Sequence, residues 1–156
     1  MNNIKYITGL LIFVSFSTSL YAAPKTEDAI KFRQSGMMFM RWNMGIIKKQ
    51  VITDPQSYNR ESVLVSSQVI AAIANSGMER LYPANSAEGK GWHNTRVKPA
   101  YFSEQDNAKK LSQDFIKEAN AMLEVAKQAD LVRIKTQFNK LFNTCKSCHK
   151  SYRYKK

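Results

Sequence analysis

Both cysteines of this 156-residue chain, and one of its two histidines, lie within "TCKSCHK", Thr144 to Lys150. On a helix, Cys145 and Cys148 stand one turn apart on the same face, and His149 lies one turn beyond Cys145. C-x-x-C-H is the attachment signal for c-type haem. Two thiols at this spacing can add to the two vinyl groups along one porphyrin edge, and the adjoining imidazole is then placed to coordinate the iron. Three other readings fit less well. A redox C-x-x-C belongs at a helix N-terminus, where the dipole lowers a thiol pKa, whereas this one sits late in a helical pattern. A structural zinc site needs four ligands. The chain could supply only Cys145, Cys148, His149 and His93, and adjacent Cys148 and His149 make a poor tetrahedral pair. A disulfide across three residues would constrain almost nothing.

The elements that must position the motif are helical. Four periodic segments emerge, and none alternates with period two. The first starts near Thr26, with Glu27 and Asp28 in its first turn, and stops before Thr53-Asp54-Pro55. The second runs from about Ser57 to Asn75 and ends at Ser76-Gly77. The third begins at Ser103, with Asp106 in capping-box spacing, and reaches about Gln128. The fourth follows with Asp130 as N-cap. Short links join helices one to two and three to four, whereas a loop from Gly77 to Phe102 joins two to three. The expected fold is all-α, an antiparallel four-helix bundle with one long loop between helices 2 and 3.

In the fourth helix Leu131, Ile134, Phe138, Leu141, Cys145, Cys148 and Tyr152 form an unbroken a/d stripe, so both thiols face the seam. The first helix offers Ile30, Arg33, Met37, Met40, Met44, Ile47 and Val51. Arg33 is the exception among them, because an unpaired buried guanidinium costs several kcal/mol, about 3–5 when a partner is missing. Either it reaches the bundle end or an anion awaits it, and haem propionates would supply that anion. A second stripe, Phe32, Phe39, Trp42 and Ile46, lies away from the first and is interrupted by Arg41 and Asn43; it suggests a symmetric dimer.

Met1 to Ala22 has one early Lys, an apolar run from Ile7 to Phe16 and a small-residue end at Ala22, the pattern of a secretory signal peptide. The run is too short for a membrane anchor, and no later stretch could span a bilayer. Residues 23–156 are then one exported, periplasmic domain with no membrane association after cleavage. Its 134 residues carry 23 basic and 12 acidic side chains, a net charge of +11. Export and the scatter of the charges argue against nucleic acid; the surface would instead steer an acidic partner or ligand.

The chain resembles the cytochromes c′, class II c-type cytochromes, over nearly all of the mature sequence. The likeness runs through "EDAIKFRQSG", "RWNMGIIKK", "VIAAIANSGMERLY", "TRVKPAYF" and "CKSCHKSYR". It implies one covalent haem c on Cys145 and Cys148, with His149 as proximal iron ligand and Arg153 as the basic residue of the proximal pocket. It also implies Arg33 near a propionate, followed by Gln34, with Met37 on the distal side. The family pattern is a five-coordinate, high-spin iron that binds nitric oxide and carbon monoxide, in a homodimer that is not an enzyme, with electron transfer to a redox partner protein as a further role. Low-spin relatives of the c-556 kind give the alternative, an electron carrier with Met37 as sixth ligand. The segments "IAAIANSGM" and "TRVKP" resemble the high-spin members. A peroxidase would want a distal base, and the spare imidazole, His93, lies in the long loop beside Trp92.

Overall fold

The computed structural model describes residues 24–155; the signal peptide expected over Met1 to Ala22 lies outside them. The first helix, α1, spans Thr26–Lys48. Glu27 and Asp28 stand in its first turn, where their charge suits the helix dipole, and Lys31 Nζ reaches Glu27 at 3.0 Å. Beyond Lys48 the helix widens into a π-helical turn, Lys49–Thr53, and a 3-10 turn follows at Pro55–Ser57. Helix α2, Arg60–Ala74, starts later than the Ser57 expected. Ser57 is held in the turn, its hydroxyl donating to Asp54 O at 2.7 Å, and Asn59 caps the helix by accepting from Ser62 N at 2.8 Å. Gly77, at φ +77°, then turns the chain out of α2.

A one-turn helix, α3, spans Ala100–Ser103, and α4 runs Gln105–Gln128. Ser103 therefore ends α3 rather than capping α4, and no side chain caps α4. Ala129, at φ +58°, makes the tight link to α5, Leu131–Tyr152. Asp130 caps α5 as expected, its carboxylate accepting from Val132 N and Arg133 N at 3.0 and 3.1 Å. Helix α1 packs on α2, α2 on α4 and α4 on α5, so α1, α2, α4 and α5 form the four-helix bundle. No described helix is long and apolar enough to cross a membrane.

The core gathers at one end of the bundle. Ile47 and Val51 from the end of α1 and its π turn meet Val63 and Ile70 of α2, Met122 and Ala126 of α4, and Ile134, Phe138 and Leu141 of α5. Each large side chain taken fully out of water there contributes about 1.5–3 kcal/mol. Asn43 is also inside, 2% exposed, with its amide donating to Phe39 O. It does not interrupt the outer stripe. Phe32, Phe39 and Trp42 are exposed, and Phe39 stacks on Trp42 at 5.5 Å.

The long connection is tied down at both ends. Gly91 lies so close to α1 that a Cβ there would come within 2.8 Å of Lys31 N and 2.9 Å of Ile30 Cγ2. Further on, the chain pairs antiparallel with the end of α5. Tyr154 N donates to Arg96 O and Lys98 N to Tyr152 O, both at 2.9 Å, with Val97 opposite Arg153.

Candidate functional site

The two inward stripes change character at the same level. On α5 the closed core ends at Leu141, and the next members of the stripe, Cys145 and Cys148, are half-buried and not disulfide-bonded. On α1, Met40 is buried, Met37 is 39% exposed, and Arg33 is buried again beneath the long loop. Because the helices are antiparallel, the C-terminal half of α5 and the N-terminal half of α1 share one end of the bundle. All seven residues singled out from the sequence lie in that end.

Burial pushes both thiols above their ordinary pKa, although Arg153 draws Cys148 back. They are therefore S–H groups at neutral pH. His149 is half-buried, and desolvation, together with the charges of Arg153 and Arg96, depresses its pKa to about 4. Its ring is neutral at physiological pH and keeps a lone pair for a metal. Arg153 Nη1 stands 3.4 Å from His149 Nε2, as the one-turn spacing requires. The donor set therefore fits a haem: two thiols one turn apart and a neutral imidazole behind the second. Among the described residues no group of three or more His, Cys, Asp and Glu side chains is arranged to hold a metal ion.

Arg33 is 3% exposed and does not reach solvent at the bundle end. Its guanidinium donates through Nη1 to Leu81 O at 3.0 Å and Ser86 Oγ at 2.7 Å. Through Nη2 it donates to Ser86 O and Thr95 Oγ1, both at 2.7 Å. It also lies over the Tyr82 ring, 4.6 Å from the centroid. Four neutral acceptors and an aromatic face thus accommodate the cation, and Nε–H is left for a further acceptor. Gln34 clamps the next stretch, accepting from Trp92 N at 2.8 Å and His93 N at 3.2 Å and donating to His93 O at 2.9 Å. His93 is itself exposed, so the clamp holds its backbone and leaves its ring in solvent.

Sequence reasoning missed the aromatic wall of this end. Tyr82 stacks on Tyr101 at 4.5 Å, and Tyr101 meets Tyr152 edge-on at 5.6 Å. Tyr152 Oη donates to Glu104 at 2.9 Å and accepts from Asn107 at 2.6 Å. Only Tyr152 carried a signal, its place in the α5 stripe.

A four-helix bundle whose last helix bears C-x-x-C-H toward its interior defines a class of c-type cytochrome. Residues 28–153 match the family model of cytochrome c′. Cytochrome c′ of Rhodocyclus tenuis is 43% identical over 131 residues, covering 84% of this chain and 97% of that protein. Cytochrome c′ of Allochromatium vinosum is 39% identical over 147 residues, 94% of each. A solved cytochrome c′ with ligand-controlled dimer dissociation superposes with a TM-score of 0.80 at 40% identity, covering 86% of this chain and all of that one. A nitric oxide complex of a cytochrome c′ variant from Alcaligenes xylosoxidans, 23% identical, shares the fold with a TM-score of 0.73 over 85% of this chain and 98% of that one. The chain belongs to the cytochrome c′ family, and membership implies a haem c cofactor.

The wall carries a pH signature. Burial, partly offset by Arg33, raises the Tyr82 pKa from 10.0 to about 12. The folded state then keeps a proton that the unfolded chain has lost, so the stability Tyr82 contributes is full below pH 10 and falls as pH rises to about 12. Urea midpoints measured across that window should decline, and decline less steeply in Tyr82→Phe. Parallel slopes would remove Tyr82 as the cause.

Proposed function

We propose that the mature protein is a periplasmic cytochrome c′ that binds nitric oxide and carbon monoxide at a five-coordinate haem. The observation that carries this reading is the end of the closed core at Leu141 and Met40, one turn short of Cys145 and Met37 and two turns short of Cys148. Cys145 and Cys148 would hold one haem c through thioether bonds at its two vinyl positions. His149, its ring neutral at physiological pH, would offer a lone pair to the iron. Bound there, a haem supplies an iron whose open face takes small diatomic gases. Met37 walls that face as an unligated apolar side chain, beside Met40 on the same helix. Such a wall admits small uncharged ligands and gives bound oxygen little to hydrogen-bond. Arg153, 3.4 Å from His149 Nε2, offers a cation and donor to any ligand that arrives on the proximal side. Arg33 Nε–H and the loop it holds serve the propionate edge. Electron transfer to a partner protein is a secondary role, and none of these steps turns over a substrate.

A nitric oxide complex of a variant of the Alcaligenes cytochrome c′, a protein of the same fold, is in keeping with the choice of gas. Carbon monoxide added to the reduced holoprotein should shift its absorption spectrum. Met37→Ala should raise the affinity by about tenfold or more, since truncating an apolar wall changes discrimination on that scale. A sharp, low-spin ferrous spectrum that carbon monoxide leaves unchanged would instead make the protein an electron carrier with Met37 on the iron.

The exposed Phe32, Phe39 and Trp42 face of α1 is the proposed homodimer surface, in keeping with the dimer of the 40%-identical relative. Sedimentation equilibrium at micromolar concentration should give a dimer, and Trp42→Glu a monomer. A monomeric wild-type protein would refute the assignment.

A further inference from the structure

From Leu131 to the C-terminus the chain has eight basic residues and no acidic one. Five of these, Arg133, Lys135, Lys140, Lys146 and Lys150, lie on α5 itself. The four ion pairs of the described residues all form elsewhere, within the first turns of α1 or along α4. The long loop adds to the same charge. Its pairing with residues 152–154 brings Arg96 and Lys98 against the last turn of α5, and Lys98 Nζ donates to Lys150 O at 3.1 Å. Glu104 accepts the Tyr152 hydroxyl, and Asp114 and Glu118 of α4 line a cavity beside Lys140 and Ser147, but none of them forms an ion pair with these bases. Like charges gathered without ion pairs cost stability, and two separate segments are joined to build this cluster.

We propose that the basic face made by Lys98, Lys150, Arg153 and Lys155 is the docking surface for an acidic redox protein. The proposal rests on the haem reading above and names the chemistry of the partner. Lys150 and Arg153 follow Cys148 and His149 in sequence, and Lys98 is bonded to the same stretch, so an acidic protein seated there brings its own redox centre beside the point where an electron enters or leaves. Electrostatic complementarity of this kind acts mainly on encounter rate and orientation. An anionic lipid surface suits the face less well. Its exposed apolar side chains are few: Tyr154, and Phe142 with the Lys146 ammonium 5.9 Å from its ring, so the apolar wedge of an interfacial helix is missing.

The test uses the reduced holoprotein and two small one-electron oxidants of opposite charge, hexacyanoferrate(III) and tris(phenanthroline)cobalt(III). In each case one electron leaves the ferrous haem and reduces the oxidant by one unit. Lys98→Glu/Lys150→Glu is compared with Lys49→Glu/Lys135→Glu, an equal change of charge on exposed residues at the opposite end of the bundle. At low ionic strength the first variant should react about tenfold more slowly with the anion and faster with the cation, while the control moves far less. Binding of poly-L-glutamate, which involves no electron, should weaken in the same variant and not in the control. Equal effects in the two variants would overturn the proposal, since net charge alone would then explain the rates. Co-sedimentation of the wild type with phosphatidylglycerol vesicles, lost in Lys98→Glu/Lys150→Glu while the oxidation rates stay equal, would also overturn it in favour of lipid. A protein that neither oxidant can oxidise would fail earlier, at the haem reading, before any variant is compared.

Discussion

The α5 stripe imposes the constraint on which the rest of the molecule depends. Ile134, Phe138 and Leu141 must be kept from water, and the same three- and four-residue spacing then carries Cys145 and Cys148 to the same face. The helix cannot bury its leucines and turn its thiols to solvent. Where aliphatic side chains from four helices meet, they close the core. One turn further on, the stripe presents sulfur and imidazole instead, and α1 opposite presents Met37 and Arg33. The site is thus the continuation of the core by other residue types, in one bundle end.

That end is held by polar contacts rather than by aliphatic packing. Arg33 is the centre of the arrangement. A buried guanidinium is tolerable only when its N–H groups find acceptors, and four of them do, on Leu81, Ser86 and Thr95. The contacts bind α1 to two distant stretches of the long loop. Gln34, one residue on, fixes Trp92 and His93, and the 96–98 pairing fixes the loop to the end of α5 and the residues after it. The connection that the sequence marks as unusual by its length is therefore the scaffold of the site, with Tyr82 and Tyr101 as its aromatic lining.

Much of this was legible in the residue order. The α5 stripe, the Asp130 cap and the antiparallel pairing implied by short links all follow from spacing alone. What was not legible depended on tertiary contact. Ser103 and Asp106 have capping-box spacing, yet a preceding turn at Ala100–Ser103 claims the serine. Asn43 looks like a surface residue by type, but its amide finds the Phe39 carbonyl one turn back and so can be buried. Arg33 announces itself as misplaced, while its acceptors lie 48 to 62 residues away and no local pattern points to them. The positive charge shows a similar division. The absence of acids after Asp130 is plain in the sequence, whereas the arrival of Arg96 and Lys98 beside Lys150 needs the loop to be folded.

The intact mass of the mature protein, produced by export in a host with the haem-attachment machinery, tests the central claim most directly. The claim requires the polypeptide from which the leader has been removed plus the mass of one haem, retained under denaturing conditions and lost when Cys145 and Cys148 are both replaced by serine. A mass equal to that of the bare polypeptide would contradict it.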